Sequence, residues 1–353
     1  MLGEKLKAAR IRAGLSLRQL QEEIGNAVTA QAIGKYERGE MQPSGEILAV
    51  LADALGVSGE YLRTPSGVKI EGIKFRENFI RSKKEKAQIT ATILGYVEGY
   101  LDIEERLQIE SVQWDQPRGV PFPVRDLNDA EQAAHKVRDD WNLGSDPIQN
   151  LAEFLEDRGV KILIRSLPGS VAGITGFVNR QNSQRVPVIV VNGKVTGERQ
   201  RFTLAHELGH LVLERTNTEL NIERVCDRFA GAFLMPDRVL WATLGKYRRF
   251  ISIGELASLK KYLGVSVQAI AHRCLDLNII NKSTHRRLYK VFSRRGYLQP
   301  PYDEPHPVDQ EETRRFERLC FRALAEGVIT NDKAAELLNI PINTISSEME
   351  CDY

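Results

Sequence analysis

Cysteine is scarce in this chain. Its four cysteines, at 226, 274, 320 and 351, form no Cys-x-x-Cys pair, and with no secretory context a disulfide framework is not expected. Long apolar runs are missing too. No stretch is long enough to span a bilayer, and no amino-terminal signal peptide is seen, so the expectation is a cytoplasmic protein, bacterial or phage-encoded, without a membrane partner. Excess charge of one sign is also lacking: 49 Lys and Arg against 47 Asp and Glu leave a formal +2, which implies no global polyelectrolyte partner. What remains is ordinary globular composition, 42% hydrophobic and 27% charged over 353 residues, enough for two or three cores.

Chemistry enters at His206-Glu207-Leu208-Gly209-His210. The residues on either side, Glu198 to Ala205 and Leu211 to Arg215, read as helix, with Leu204, Leu208, Leu211 and Val212 as its apolar stripe. Residues four apart share a helix face, so His206 and His210 are placed to hold one metal ion. A third ligand should lie downstream, with the fourth position left to water. Glu223 supplies it, and Asp227, one turn on, is placed to accept from the outer nitrogen of a ligating histidine. Glu207 is a neighbour rather than a ligand, which suits a general base for a water whose pKa the ion lowers to roughly 7. The expected ion is zinc, with manganese tolerated by the same donors. Cys226, between Glu223 and Asp227, reads as a small buried hydrophobe, with a redox-sensing thiol as the sharper alternative.

The run Arg201 to His210, then Glu223 to Asp227, Phe229-Ala230 and Phe233-Leu234-Met235-Pro236, resembles the ImmA/IrrE metallopeptidases over about residues 125 to 300. The resemblance implies a zincin-like, gluzincin-type domain in which His206, His210 and Glu223 hold the metal and Glu207 is catalytic.

The amino terminus carries a second pattern. Leu2 to Ala13 reads as a helix stopped by Gly14, Ser16 caps a second over Leu17 to Ile24, and Gly25-Asn26 supplies a turn. A third helix follows from Thr29 to Arg38, and Ser44 opens a fourth with Ile47, Leu48, Leu51 and Leu55 as its core stripe. Two short helices joined by a tight turn make a helix-turn-helix, whose second helix fits the major groove. Leu15-Ser16-Leu17-Arg18-Gln19-Leu20, Ile24-Gly25, Ile33, Tyr36-Glu37-Arg38-Gly39, Pro43 and Leu55-Gly56-Val57 resemble the lambda-repressor-like, xenobiotic-response-element type of DNA-binding domain. Carried over by position, Thr29, Ala30, Gln31, Gly34 and Lys35 would face the double-stranded operator. Gln31 suits adenine and Lys35 suits guanine or phosphate. Leu17 stands where the family often has a polar phosphate contact, with Arg18 or Gln19 as candidate substitutes. Residues 1 to 65 hold eight basic and eight acidic side chains, so DNA binding would rest on a local face and a homodimer rather than on net charge.

Between and beyond these patterns, Lys69 to Phe75 reads as extended and Phe79 to Leu107 as a long helix, basic at its start. Pro117, Pro121 and Pro123 mark a loop, Leu127 to Trp141 is helical, and Asp146-Pro147 opens another helix through Glu156. Strands are expected at Val160 to Ile164, Ile174 to Asn179 and Val186 to Val191. Helices return over Ile253 to Tyr262, Val267 to Leu277 and Lys282 to Arg295, the last carrying six bases and no acid. A proline-rich linker, Pro300 to Pro307, precedes three more helices in Glu311 to Met349, shaped like another helix-turn-helix, but Glu348, Glu350 and Asp352 disfavour phosphate and favour a protein-contacting cap.

The fold class expected is multidomain and mainly α with an α+β part. Residues 1–65 form an all-α helix-turn-helix domain, 66–124 a linker with a long helix, and 125–245 a zincin-like metallopeptidase domain with a small sheet. Residues 246–298 add a helical extension and 311–353 a C-terminal helical unit. Function follows in two versions. In the first, a DNA-binding regulator, most simply a repressor, carries a zinc-dependent endopeptidase that cleaves a partner protein or itself. In the second, the peptidase-like domain is a sensor or partner-binding module that cuts nothing.

Overall fold

The computed structural model describes residues 2–63, 70–75, 82–167, 171–180 and 185–349. Phe79 to Arg81, expected as the start of the long helix, lie outside the described residues, as do Lys69 and Glu350 to Tyr353. The chain divides into two compact units: 1–112, 177–186 and 314–353 form one, and 113–176 with 187–313 the other.

The first unit begins with α1 (Leu2–Arg12), α2 (Leu17–Glu23), α3 (Ala30–Glu37), α4 (Gly45–Leu55) and α5 (Gly59–Arg63). Short-range signals set each boundary. Ser16 and Gln19 form a reciprocal capping box at the start of α2, and Thr29 and Ser44 cap α3 and α4. Gly25 and Asn26 both take positive φ in the turn between α2 and α3, where a left-handed residue costs glycine nothing and asparagine little. Gln21 then braces that turn: its Nε2 donates to Asn26 Oδ1 and its Oε1 accepts from the Ala30 amide, both at 2.9 Å. Leu6, Leu20, Ile33 and Leu51 are fully buried at the centre, each stabilising the bundle by about 1.5–3 kcal/mol. Arg10 reaches Glu37 through two hydrogen bonds, of 2.6 and 3.0 Å, and ties α1 to the end of α3.

After β1 (Ile70–Phe75), Ser82 caps α6 (Lys83–Arg106), which packs on α1. Gly95 allows the close approach, since a Cβ there would lie 3.0 Å from Arg12 Nη1.

The second unit opens with β2 (Phe122–Val124), α7 (Leu127–Asp140), α8 (Leu151–Glu156), β3 (Lys161–Arg165), β4 (Gly173–Arg180) and β5 (Arg185–Asn192). Next come α9 (Gly197–Val212), β6 (Leu213–Arg215), α10 (Ile222–Leu234), α11 (Asp237–Leu244), α12 (Ile253–Leu263), α13 (Val267–Asp276) and α14 (Lys282–Arg294). The sheet order is β1-β4-β5-β3, with β3 parallel to β5 and Lys161 opposite Val188. The end of β4 and the start of β5 fall within the range 177–186 assigned to the first unit. Among the described residues no helix is long and apolar enough to cross a membrane.

Three local expectations give way to tertiary partners. Leu213 to Arg215 are not the end of the helix: they leave α9 as β6 and pair in parallel with β2, Phe122 opposite Leu213. Pro123 therefore lies in a strand rather than a loop, and in a two-stranded ribbon its missing N–H can face away from the one partner. Asp146 does not open α8. Its carbonyl accepts from Arg138 Nη2 at 2.7 Å, and Asn150 caps the helix instead.

The proline-rich segment is anchored to the second unit through buried carboxylates. Glu304 accepts from Lys260 Nζ and from the Val267 amide. Glu311 accepts from Arg201 Nη1 at 2.7 Å and from the Ala152 amide at 2.9 Å, so the next helix starts only after it. That helix is α15 (Arg315–Ala325), followed by α16 (Asn331–Leu338) and α17 (Ile342–Met349). These close the first unit: Phe316, Leu319, Cys320 and Ala323 pack on Tyr100, Ile103 and Leu107 of α6, with the Tyr100 and Phe316 rings stacked 4.9 Å apart. The protein surface that this C-terminal unit covers is thus within its own chain. Glu336 also accepts from the Ser58 amide at 3.0 Å.

Candidate metal centre and DNA-reading face

The candidate metal centre lies where α9 crosses α10. Gly209 sets the crossing, because a Cβ there would sit 3.1 Å from Phe229 Cδ1 and 3.4 Å from Cys226 Cα. On α9, His206 and His210 lie one turn apart and meet edge to face, with ring centroids 4.9 Å from each other. On α10, Asn221 caps the helix by accepting from the Glu223 and Arg224 amides, which fixes the first turn and so the aim of Glu223.

Glu223 spans both imidazoles. Its Oε2 lies 3.2 Å from His206 Nε2 and its Oε1 lies 3.4 Å from His210 Nε2. Asp227 Oδ1 sits 2.8 Å from the other nitrogen of His206, Nδ1. Burial works against a charged His206, but hydrogen bonds to Asp227 and Glu223 and the nearby Glu207 charge outweigh it and raise the imidazole to about 9. Hydrogen bonds from His206 and then His210 hold the Glu223 carboxyl well below the usual carboxylate range. Two imidazole Nε2 atoms facing the two oxygens of one carboxylate make a donor set suited to a divalent ion.

Two overlapping donor sets occur here. His206, His210 and Cys226 each offer a donor atom, all within 4.8 Å of one another, and the two histidines also converge on Glu223. The glutamate set fits better. It engages both Nε2 atoms at once, and Glu223 is 29% exposed, which leaves an approach for water. Cys226 is fully buried and meets His210 at Nδ1 instead. Glu207 is buried beside the pair at 7% exposure. The start of β4 passes over it: a Cβ on Gly173 would come within 2.9 Å of Glu207 Oε1 and collide with Thr203 Cγ2.

Sequence reasoning had no signal for Gly173, a strand glycine remote from the motif. Gly173→Ala is expected to lower stability by about 1–3 kcal/mol through overpacking and to displace the Glu207 carboxylate. A thermal melt together with zinc titration checks this, since zinc affinity should survive.

In the first unit, α3 lies along an open groove lined by Arg18, Ala30, Gln31, Gly34 and Lys35 together with Leu17 and Arg38. Arg18, Gln31 and Lys35 are exposed, Ala30 is half-buried and Gly34 is buried. Thr29 is exposed but spends its hydroxyl on capping α3. Gln19 is likewise committed, its Oε1 accepting from the Ser16 amide at 2.9 Å. Arg38 is the groove residue that sequence reasoning passed over, although its place four after Gly34 put it on the same face. Its guanidinium pairs with Glu40 at 2.6 Å.

Residues 155–275 match the family model of the IrrE N-terminal-like domain, and residues 6–62 match the helix-turn-helix model. The chain thus joins a helix-turn-helix region of DNA-binding type to a domain of a metallopeptidase family. It is similar to the radiation response metalloprotease IrrE of Deinococcus radiodurans, 38% identical over 97 residues, which are 23% of this chain and 29% of that protein. It is also similar to the SPbeta prophage-derived uncharacterized HTH-type transcriptional regulator YonR of Bacillus subtilis, 39% identical over 62 residues, 18% of this chain and 56% of that protein. The matched stretches therefore span less than two thirds of either relative.

Proposed function

We propose that this protein is a DNA-binding transcriptional regulator, most simply a repressor, carrying a zinc-dependent endopeptidase that cleaves a regulatory protein or the chain itself. The observation that carries the reading is the convergence of His206 Nε2 and His210 Nε2 on the two oxygens of Glu223, with Glu207 buried alongside. In this reading His206, His210 and Glu223 hold the ion, and Asp227 fixes the His206 tautomer by accepting from Nδ1. A divalent ion bound there supplies Lewis acidity that makes water a nucleophile near neutral pH. Glu207 takes the proton from the attacking water and delivers it to the departing amine nitrogen, as a general base and then a general acid.

Residues 1–65 bind a palindromic operator as a homodimer, Gln31 reading a base and Arg18 and Lys35 contacting phosphate. Residues 125–245, extended by 246–298, form the peptidase, and the setting is a cytoplasm. The substrate class is a folded or partly extended regulatory protein, and its cleavage relieves control of transcription.

The test compares zinc-loaded with chelated protein. Zinc at 100 to 1,000 times its Kd should stabilise the fold by about 3–4 kcal/mol, raising the melting temperature of the second unit. New amino termini in an extract of the source cells should appear only with the loaded protein. Zinc binding without any new terminus would leave a sensor that cuts nothing, and no zinc-dependent melt would remove the metal centre altogether.

A further inference from the structure

One turn of α10 serves both histidines. Glu223, Cys226 and Asp227, at i, i+3 and i+4, share a helix face. Glu223 enters between the two Nε2 atoms, and the other two residues divide the outer nitrogens between them. Asp227 takes His206 Nδ1 at 2.8 Å, and Cys226 Sγ lies 3.3 Å from His210 Nδ1.

We propose that Cys226 is a positioning residue for metal binding: its sulfur accepts from the His210 Nδ1–H and so locks that imidazole with its Nε2 lone pair toward the ion. The inference rests on the reading of His206, His210 and Glu223 as ligands.

The chemistry follows from what a neutral imidazole can do. Only one ring nitrogen carries a proton, so a group that accepts at Nδ1 commits Nε2 to being the ligand. The partner of a ligating histidine is usually a carboxylate, a carbonyl or water. His206 has the carboxylate, on an Asp227 side chain that is 59% exposed. The environment of His210 is different. Its side chain is 3% exposed, and Cys226 has no exposed surface. A carboxylate at position 226 would be a charge buried beside Phe229 and the backbone at Gly209, whereas a thiol is a weak acceptor that needs no hydration. The two ligands are thus supported unequally: His206 by a charge in contact with solvent, His210 by a neutral sulfur in the core. Sulfur at Nδ1 lies on the far side of the ring from Nε2, so Cys226 supports the ion without ligating it.

The experiment uses the full chain, with zinc and cobalt(II) as probes. Zinc affinity is measured by competition with a chromophoric chelator for wild type, Cys226→Ala and Cys226→Ser. Cys226→Ala should weaken zinc about tenfold, the lower end of what loss of a ligand-orienting partner costs. Cys226→Ser, which keeps an acceptor at Nδ1, should recover most of that loss. Melting of the metal-free variants separates this from packing. A purely structural cysteine would lower the apo melting temperature in both variants and leave zinc affinity unchanged, which overturns the proposal. The cobalt spectrum of the wild type needs no variant to fold. It should show tetrahedral ligand-field bands without a sulfur-to-cobalt charge-transfer band, and that band, if present, makes Cys226 a ligand and overturns the positioning role. A wild type that binds neither ion overturns this inference together with the ligand assignment, whereas wild-type binding that Cys226→Ala leaves intact overturns this inference alone.

Discussion

Glu207→Gln is expected to keep zinc and lose about 10²- to 10⁴-fold in cleavage rate, the usual contribution of a positioned general base. The amide matches the carboxylate in shape, so the close approach of Glu207 to Gly173 persists. It cannot take a proton from water. Removing the Glu207 charge also removes one of the influences that raise His206, so the variant should bind a proton there less tightly. Amino-terminal proteomics of cells expressing wild type or Glu207→Gln, with zinc content measured on the purified proteins, checks both halves. Equal cleavage by a variant with full zinc would show that Glu207 is not the base. Equal phenotypes with no cleavage by either protein would favour a regulator that senses without cutting.

Operator affinity should fall about 10²-fold between roughly 50 and 200 mM salt. The estimate takes Arg18 and Lys35 from each of two protomers as about four phosphate contacts, each contributing about −0.9 to the slope of log K against log salt. Arg38 adds less, because its guanidinium is already paired with Glu40. Lys35→Ala should reduce the slope by about 2 for the dimer while weakening all sequences alike. Gln31→Ala should cost about 1–3 kcal/mol on the operator and little elsewhere. Fluorescence anisotropy on upstream fragments across a salt series measures all three. A salt-independent affinity, or none for any fragment, would leave the helix-turn-helix as a dimerisation or partner-binding module.

The first four helices, α1 to α4, were legible because their boundaries rest on residues within four positions of one another, whereas the short α5 (Gly59–Arg63) was not expected. Ser16 with Gln19, Thr29 with Ala32 and Ser44 with Ile47 are local pairs, and local pairs can be read from a string of letters. The strands over 173–180 and 185–192 were legible for a similar reason, the concentration of β-branched residues between turns. What was misread depended on distant partners. Leu213 to Arg215 have helical neighbours, and only the pairing with Phe122 to Val124 makes them a strand. The start of α8 moved because Arg138 claims the Asp146 carbonyl, the proline-rich linker proved anchored because Glu304 finds Lys260, and Glu311, expected to open the next helix, is instead held by Arg201.

The same division runs through the metal centre. By itself the sequence determined that two imidazoles and a carboxylate recur at helical spacing in 206–210, and that a glutamate and an aspartate four apart follow in 223–227. Spacing along one helix is a property of the backbone period and needs no other information. Tertiary structure alone decided which nitrogen meets which oxygen, that Cys226 meets His210 at Nδ1, and that Gly173 roofs Glu207. Those relations depend on how α9 crosses α10, and that crossing is set by side-chain volume at Gly209, Phe229 and Cys226. Packing of that kind acts between residues about twenty positions apart, beyond the reach of any local pattern.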